Sequence, residues 1–408
     1  MKRGRRGRGT RVGAQVAPPN PGHRPLASSA WRTVTLGGQT IAIPDEPLCD
    51  ADADDPANRL LADYAALHPN DRVLVLGAGC GALAAWAAAQ VAPGRLIISD
   101  IHSAALNRAA ATLRHNNRTG YDLLPAERVA ELEAGALDAA LVNSAFQSSS
   151  KALAKLLRAA GRALKLGGML YVAGAKAQGI GAIKTRMTEI FGAASTLAYR
   201  KGVHVVVAAR PEHWAAETTA APCETISVTV RGHTFHVALR DGVFARGGLD
   251  DGTRMLLEAV EVRPDDRALD LGCGSGIIGM LLARLAPAGH VDLVDSDSAA
   301  VALARDNLIT NVIANATASV GDGISAAPGT AYNLIATNPP FHLGRRQTTA
   351  IARAFIADAA RALRPAGRFY LVANRFLPYE PNIEAAFGNV REVAGDGRYK
   401  VLLATRDA

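Results

Sequence analysis

Arg267-Ala268-Leu269-Asp270-Leu271-Gly272-Cys273-Gly274-Ser275-Gly276 is a short, mostly apolar run that ends in three alternating glycines. The apolar part has the length of a buried strand, and the segment that follows it, residues 277–285, has helical length. Glycines at such a turn let the backbone approach a ligand closely, and the helix N-terminus offers free N–H groups and a partial positive charge. The spacing is GxGxG and not the GxGxxG dinucleotide fingerprint. By itself the stretch predicts either a nucleotide-type site or a simple strand-to-helix turn, and the residues that follow along the chain favour the site.

The same pattern occurs earlier in the chain at a constant offset of 195 residues. A true internal repeat keeps such an offset between equivalent positions. The matching pairs are Asp71-Arg72 with Asp266-Arg267, Gly77 with Gly272, Gly79 with Gly274, Gly81 with Gly276, Asp100 with Asp295, and Asn143 with Asn338. A glycine loop, an acidic strand end and an Asn-x-x-Phe segment seldom coincide by chance. The sequence therefore predicts two copies of one architecture.

Strand-length apolar runs alternate with helix-length segments in both copies, which is typical of βαβ units and a parallel sheet. The predicted strands are 72–76, 95–99, 138–142 and 169–173 in the first copy, and 267–271, 291–294, 334–337 and 369–372 in the second. The predicted helices are 82–91, 104–116 and 151–164, then 277–285, 299–307 and 349–363. Between the copies, residues 211–222 indicate a linker, and residues 225–230 and 233–239 a hairpin with its turn at Arg231-Gly232. We place the boundary near residue 215.

Composition limits the class of protein. The 408 residues are enough for two domains, and 49% hydrophobic with 20% charged residues indicates a globular chain. No apolar stretch approaches the ~20 residues that cross a bilayer. The four cysteines, Cys49, Cys80, Cys223 and Cys273, form no CxxC pair, which predicts neither a disulfide framework nor a zinc site and favours a reducing cytoplasm.

The net charge of +8 is concentrated at the N-terminus. Six cations lie within the first twelve residues: Lys2, Arg3, Arg5, Arg6, Arg8 and Arg11. A basic Arg/Gly/Pro-rich tail over residues 1–28 neutralises phosphates without sequence preference, although an unselected start explains it as well. The tail lacks the apolar core of a signal peptide.

Acidic residues at strand ends are the candidate partners of a nucleoside. Asp270 ends the strand before the glycine loop, which itself contributes Gly272, Gly274 and Gly276. Asp295 ends the next strand, where a carboxylate accepts hydrogen bonds from both ribose hydroxyls, although it is also a candidate helix N-cap and Asp297 competes for the role. Asp322 follows the third strand region and is a candidate partner of an adenine amino group, or an ordinary Asp-Gly turn.

Asn338-Pro339-Pro340-Phe341 follows the strand 334–337 directly and carries the most chemical information. Two prolines cannot continue a sheet ladder, and they fix the backbone at the carboxyl edge of the sheet, where ligands of open α/β sheets bind. The Asn338 oxygen and the Pro339 carbonyl form two acceptors for an exocyclic NH2 group, and Phe341 offers a stacking face. The alternative is a proline-terminated strand with Phe341 in the core.

In this order, the glycine loop, Asp295 and the Asn-Pro-Pro-Phe tetrad resemble the class I S-adenosylmethionine-dependent methyltransferases that act on exocyclic amines. The duplication, together with the segments 242–244 and 248–250, resembles the ribosomal RNA guanine-N2 methyltransferases of the small-subunit (RsmC) and large-subunit (RlmG) type. Similar tetrads occur in adenine-N6 DNA methyltransferases and in protein-glutamine methyltransferases. The basic pair Arg345 and Arg346 departs from the family and is either a phosphate clamp or a solvated loop.

This resemblance implies an α/β fold of two tandem Rossmann-like methyltransferase domains, each a mostly parallel sheet with flanking helices and a C-terminal antiparallel hairpin. It implies a catalytic domain at 215–408 and a degenerate, non-catalytic domain at 29–214, where Val75 replaces Asp270 and Asn143-Ser144-Ala145-Phe146 replaces the tetrad. The alternative for the first domain is a weak second cofactor site. The implied cofactor is S-adenosylmethionine, without a metal, and the implied partner is ribosomal RNA or a ribosomal subunit, bound by a cytoplasmic monomer. The rival functions are methylation of DNA adenine or protein glutamine, and a non-catalytic RNA-binding assembly factor.

Overall fold

The computed structural model describes residues 30–407 except 54, 145–149, 215–223, 240–248, 327–330, 341 and 344–345. We call residues 30–214 the N-terminal half and residues 224–407 the C-terminal half. Among the residues described, no helix is both long and apolar enough to span a bilayer.

The N-terminal half begins with a hairpin and continues as alternating strands and helices. Its elements are β1 (Trp31–Leu36), β2 (Gln39–Pro44), α1 (Asp50–Ala53), α2 (Pro56–Tyr64), β3 (Val73–Leu76), α3 (Ala82–Ala88), β4 (Leu96–Asp100), α4 (Ser103–His115), β5 (Tyr121–Pro125), β6 (Leu137–Asn143), α5 (Ser150–Ala163), β7 (Leu164–Ala175), α6 (Ile180–Phe191), β8 (Ser195–Arg200) and β9 (Val203–Ala209).

The C-terminal half repeats this order. Its elements are β10 (Glu224–Val230), β11 (His233–Leu239), α7 (Asp251–Ala259), β12 (Arg267–Leu271), α8 (Ile277–Leu285), β13 (His290–Asp295), α9 (Ser298–Thr310), β14 (Ala316–Val320), β15 (Tyr332–Thr337), β16 (His342–Leu343), β17 (Arg346–Gln347), α10 (Ala350–Ala362), β18 (Leu363–Asn374), α11 (Glu380–Phe387), β19 (Arg391–Gly395) and β20 (Tyr399–Thr405).

Each half contains one seven-stranded sheet. The strand orders are β5-β4-β3-β6-β7-β9-β8 and β14-β13-β12-β15-β18-β20-β19. Five strands of each sheet are parallel, and the last two strands of each half pair antiparallel as a C-terminal hairpin. The predicted fold class and the duplication are thereby confirmed.

Both sheets are buried on both faces, which explains why their central strands are continuously apolar. In β3, Val73 and Val75 belong to the core on one face of the sheet, and Leu74 and Leu76 to the core on the other. In the C-terminal half, the two sides of the sheet are likewise covered by helices over two separate apolar cores.

A short hairpin precedes each sheet, and only the second of the two was predicted from the sequence. In the N-terminal half β1 pairs with β2, and in the C-terminal half β10 pairs with β11. Equivalent asparagines attach the hairpins: Asn116 makes two hydrogen bonds with the backbone of Ala42, and Asn311 makes two with the backbone of His236. The repeat therefore extends beyond the motifs that revealed it.

The expectation that the cysteines form no disulfide is wrong for one pair. Cys49 and Cys80 are joined by a disulfide, with their Cα atoms 5.5 Å apart. The bond joins the short helical turn Pro47–Cys49 to the glycine loop of the N-terminal half, which contains Cys80. Sequence spacing does not reveal this pairing because the two cysteines meet through the fold and not through a local motif.

The two halves contact each other through equivalent positions. His102 and Asp297, which differ by 195, form a backbone bridge between the halves. Beside it, the Ser103 amide donates to the Ser296 carbonyl at 2.9 Å, and the Ser298 hydroxyl donates to Glu127 at 2.5 Å. The contact between the halves thus has approximate two-fold symmetry.

Candidate active site

The carboxyl edge of the C-terminal sheet brings the predicted site residues together. Strand β12 lies between β13 and β15, all three parallel. The Gly272 amide donates to the Val294 carbonyl at 2.8 Å, and the Thr337 hydroxyl donates to the Leu271 carbonyl at 2.6 Å. The glycine loop and Asn338 therefore leave the sheet side by side, as neighbouring parallel strands are only about 4.8 Å apart.

The glycine loop needs glycine for both backbone conformation and space. Gly272 and Gly276 have φ values of 78° and 86°, in the left-handed region that side chains disfavour. A Cβ atom on Gly272 would lie 2.9 Å from the ring of Phe355, and one on Gly276 would lie 3.1 Å from the side chain of Leu293. The loop is thus packed closely against α10 on one side and the sheet on the other, and its last glycine opens α8.

Asp295 is held at the mouth of this loop. Its Oδ2 accepts from the Gly274 amide at 3.0 Å, and its Oδ1 accepts from the Asp297 amide at 2.9 Å. A carboxylate has about four acceptor positions, so both oxygens retain capacity for ribose hydroxyls. Asp297, the rival candidate, caps α9 by accepting from the Ala299 amide at 2.8 Å. The side chain of Asp297 thereby takes the capping role that was the alternative for Asp295.

Asp270 is a fully buried carboxyl group at the end of β12. Its Oδ2 accepts from the Gly279 amide at 2.8 Å, while its Oδ1 is buried with no hydrogen-bond partner among the described residues. Burial, together with the nearby charge of Asp295, raises the pKa of Asp270 to about 7, against the lowering effect of the Gly279 hydrogen bond. An orphaned buried acceptor beside a glycine loop fits a ligand that brings a donor or a cation.

Asp322 lies just after β14, and the residue before it, Gly321, is hydrogen-bonded to Asp295. The Gly321 amide donates to the Asp295 carbonyl at 2.9 Å. The Asp322 carboxylate lies 3.7 Å from a guanidinium nitrogen of Arg108, which belongs to the N-terminal half. The structure therefore places Asp322 on the same edge as Asp295, but with a partner that the sequence did not predict.

The side-chain amide nitrogen of Asn338 fixes this residue through two hydrogen bonds. Nδ2 donates to the Thr253 hydroxyl at 2.8 Å and to Asp250 Oδ2 at 3.4 Å. Asp250 in turn caps α7 by accepting from the backbone amides of Gly252 and Thr253. Because an ionised carboxylate only accepts, this contact fixes which end of the Asn338 amide faces Asp250. No described residue donates to Asn338 Oδ1, so the oxygen remains an acceptor for a ligand.

The two residues that hold Asn338 were not predicted as site residues, although a signal was available. Asp250 and Thr253 match Asp55 and Asn58 at the same offset of 195. The offset alone would have marked position 250 as part of the repeated site.

The rest of the tetrad is described in part. Pro339 is buried and Pro340 is exposed at the end of β15. Phe341 and Arg345 lie outside the described residues, and of Arg346 the structure describes only the backbone, in β17. Their predicted contacts with a base and with phosphates remain predictions.

The N-terminal half keeps the same asparagine contact but fills its glycine loop. Asn143 Nδ2 donates to Asp55 at 2.7 Å and to Asn58 at 2.8 Å. Asp52, however, lies against the loop, where its Oδ2 accepts from the Cys80 amide at 2.7 Å and is 2.9 Å from the position of a Cβ on Gly79. Burial raises the pKa of Asp52 to about 6 against these hydrogen bonds. A carboxylate of the chain itself thus occupies this helix N-terminus.

Sheets of this strand order, with a glycine loop beside an Asn-Pro-Pro edge, are the architecture of Rossmann-like S-adenosylmethionine-dependent methyltransferases. The family model described as Methyltransferase small domain matches residues 49–207 and again 234–403, so the chain belongs to that family as a tandem member.

Curated relatives agree with this assignment. Ribosomal RNA small subunit methyltransferase C of Pseudomonas entomophila is 36% identical over 275 residues, which cover 66% of this chain and 80% of that protein. Ribosomal RNA large subunit methyltransferase G of Streptomyces avermitilis is 39% identical over 166 residues, 40% of this chain and 44% of that protein. The family resemblance inferred from the sequence is confirmed.

A solved structure resembles nearly the whole chain. It is the 16S rRNA N2 G1207 methyltransferase (RsmC) of T. thermophilus in complex with AdoMet and guanosine. The TM-score is 0.75 at 26% identity, and the match covers 92% of this chain and 98% of that one. The likeness therefore includes both halves and their arrangement.

Proposed function

We propose that this protein transfers the methyl group of S-adenosylmethionine to the exocyclic N2 amine of a guanine in ribosomal RNA. Relatives of both ribosomal subunit types support the RNA substrate. The T. thermophilus structure, with AdoMet and guanosine, supports the cofactor and the base.

The observation that carries the proposal is the anchored amide of Asn338 with the two prolines that follow it, a combination that Asn143 lacks. Its nitrogen is engaged by Thr253 and Asp250, which leaves Oδ1 to accept a hydrogen bond beside the glycine loop. The Pro339 carbonyl supplies the second acceptor, and the prolines fix both in place. Two rigid acceptors fit the two hydrogens of an NH2 group.

The cofactor site fits S-adenosylmethionine by the chemistry of its groups. Asp295 would accept hydrogen bonds from the ribose hydroxyls, and Asp322 would accept one from the adenine amine. The Gly272–Gly276 loop would let the backbone approach the cofactor closely. The unpartnered Asp270 Oδ1 would face a cationic or hydrogen-bond-donating group. When bound, the cofactor supplies a methyl group on a positively charged sulfur.

The residues around Asn338 then make a poor nucleophile reactive. The guanine 2-amino lone pair is delocalised into the ring, and acceptors at Asn338 and Pro339 favour the more tetrahedral nitrogen of the transition state. Positioning the amine in line with the methyl group provides much of the remaining rate gain. The proton leaves after transfer, so no general base is assigned, and the step requires no metal.

The target guanine must be presented outside a duplex. An amine engaged in a base pair is inaccessible to a protein pocket, so the substrate is a single-stranded or flipped-out nucleotide. In this proposal Phe341 stacks on the base, and Arg345 and Arg346 contact phosphates. Such an enzyme works where ribosomes assemble, in the cytoplasm.

We assign the chemistry to residues 215–408 and a non-catalytic role to residues 29–214, preceded by the basic tail at 1–28. The carboxylate of Asp52 against the N-terminal glycine loop supports this division, because an anion of the chain already occupies the helix N-terminus. The two halves make with each other the symmetric contact that a dimer would otherwise supply, so we expect a monomer.

The test is to incubate ribosomal RNA with the protein and labelled S-adenosylmethionine and to identify the labelled nucleoside by mass spectrometry. We expect N2-methylguanosine. Labelled N6-methyladenosine in DNA or methylglutamine in protein would replace this proposal by one of the rival enzymes. RNA binding without any transfer would favour an assembly factor instead.

A further inference from the structure

Arg108 is a buried cation of the N-terminal half that faces the site of the C-terminal half. It lies on α4 and is 8% exposed. Its guanidinium is 3.8 Å from Glu46 of its own half and 3.7 Å from Asp322 of the other. Its Nε is buried without a hydrogen-bond partner among the described residues. One carboxylate from each half thus faces this single cation.

The internal repeat shows that packing within the fold does not require this cation. The residue 195 positions after Arg108 is Leu303, a buried core residue of α9. Burying a guanidinium is costly unless carboxylates pair with it. An arginine at a position that accommodates leucine in the sister domain therefore indicates a role at the boundary between the halves.

The segment on the other side of Arg108 is fixed as well. Glu46 precedes the turn Pro47–Cys49, which is tied to the N-terminal glycine loop by the disulfide to Cys80 and lies against α10 of the C-terminal half. Arg108 is therefore braced by a rigid segment while it faces Asp322.

Asp322 depends on this contact for the position of its side chain. Its backbone is fixed, because its carbonyl accepts from the Ser325 hydroxyl at 2.6 Å and the preceding Gly321 donates to Asp295. Among the described residues, Arg108 is the cation placed against its carboxylate. Without Arg108, the carboxylates of Glu46 and Asp322 would face each other with no cation between them, and repulsion would move Asp322 away.

We propose that Arg108 is a positioning residue that holds Asp322 toward the adenine amino group, so that the N-terminal half completes the cofactor site of the C-terminal half. This inference rests on the proposed function, in which S-adenosylmethionine binds at the Gly272–Gly276 loop. It gives the non-catalytic half a specific part in cofactor selection.

The test uses calorimetry to compare how tightly the full chain binds two compounds that differ only in the base, and their affinity ratio is the selectivity. S-adenosylhomocysteine carries the adenine amine, and S-inosylhomocysteine carries an oxygen in its place. We expect Arg108→Leu to weaken the adenine compound about tenfold, which is one hydrogen bond to a charged group, and to leave the inosine compound unchanged. Leucine is chosen because the sister domain has it at the equivalent position.

Further variants separate positioning from folding. Arg108→Lys retains the cation and should restore part of the selectivity, and Arg114→Ala, an exposed cation of the same helix, should leave it intact. The Asp322→Ala variant should already lack the selectivity, so adding Arg108→Leu to that variant should not change the affinity ratio any further.

The outcomes distinguish this inference from the proposed function. Equal weakening of both compounds by Arg108→Leu, or unchanged selectivity, overturns the positioning role while cofactor binding stands. Failure of the unmodified chain to bind S-adenosylhomocysteine overturns both.

Discussion

The two halves hold equivalent asparagines in the same way but differ in what lies beside them. Asn143 donates to Asp55 and Asn58, and Asn338 donates to Asp250 and Thr253. An asparagine anchored to the cap of a preceding helix is therefore a property of the duplicated fold, and by itself it does not define a reacting site.

The differences are in the glycine loop and in the backbone after the asparagine. Asp52 lies against the N-terminal loop, whereas among the described residues of the other half no carboxylate of a preceding segment is bonded to the equivalent Ser275 amide. Buried Val75 takes the place of Asp270, and Ser144 the place of Pro339. Under the proposed function, the chemistry depends on Asp270 and the rigid prolines in addition to the anchored amide.

The largest expected difference comes from replacing the two asparagines. Asn338→Ala should lower kcat about 10²–10³-fold, since it removes an acceptor aimed at the transition state. Asn143→Ala should lower the free energy of unfolding by about 1–3 kcal/mol, because Asp55 and Asn58 lose a buried donor, and leave kcat unchanged. Single-turnover methylation and denaturant unfolding measure the two effects. Loss of transfer in both variants would show that the halves share the chemistry.

The next effect concerns the acidic strand ends. Asp295→Ala should weaken S-adenosylhomocysteine binding about 10–100-fold, because two charge-assisted hydrogen bonds to ribose are lost. Asp100 accepts from the amides of Ala78 and His102, so Asp100→Ala should destabilise the N-terminal half without changing that affinity. Calorimetry on both variants is the measurement, and equal affinities would remove Asp295 from the site.

A smaller, pH-dependent effect follows from Asp270, whose pKa is about 7 because of burial. Ionisation creates a negative charge that attracts the cationic cofactor, so S-adenosylmethionine should bind several-fold more tightly at about pH 8 than at about pH 6. Asp270→Asn should flatten this dependence. A wild-type affinity that falls with rising pH would contradict the assignment.

The same pKa has the opposite consequence for folding. A carboxyl group whose folded pKa is raised favours the folded state most at pH values below its ordinary pKa, and that contribution is lost as pH rises through about 7. The ligand-free protein should therefore lose this part of its stability as pH rises from 3.8 to about 7, and cofactor binding should begin to strengthen near the upper end of that range. Thermal unfolding measured over this pH range should show the melting temperature falling without cofactor while the stabilisation by added cofactor grows.

The smallest effect on catalysis is expected from the disulfide. The bond joins residues 31 positions apart, so reduction, or Cys80→Ser, should lower the free energy of unfolding by about 2–4 kcal/mol. Serine is the residue at the equivalent position 275. Under the proposed division of roles, the kcat at saturating cofactor should not change, because neither cysteine is among the residues proposed to react. A fall in kcat as large as that of Asn338→Ala would contradict the division of roles.

Most of the fold was readable from the sequence because buried parallel strands are apolar runs separated by amphipathic helices. The bounds predicted for β12 and α8 agree with the structure at both ends. Strand β18 begins at Leu363, six residues before its predicted start at 369, because Arg364 and Arg368 interrupt the apolar pattern.

The hairpin β1–β2 was missed for a related reason. Its glycine turn Gly37-Gly38 is 194 residues from Arg231-Gly232, so the constant offset fails there by one residue. Ala42 and His236 also differ by 194, whereas Asp55 and Asp250 differ by 195, so the extra residue lies between the hairpin and the helix that follows it. Such a change leaves the strand pairing intact but defeats a search at fixed spacing.

The placement of the motif residues at one edge of the sheet was predictable because each lies at or just after the end of a strand. Their supporting contacts were not, since Asp250 meets Asn338 across 88 residues and Arg108 meets Asp322 across the boundary between the halves. Long-range side-chain pairs leave no local pattern, although the repeat offset already marked Asp250.

Counting cofactor sites tests the central claim most directly, namely that one half reacts and the other is filled by its own side chain. Titration of the unmodified chain with S-adenosylhomocysteine should give one site per chain, which Asp295→Ala weakens and Asp100→Ala preserves. Two equivalent sites, or one site that is lost in Asp100→Ala, would contradict the account.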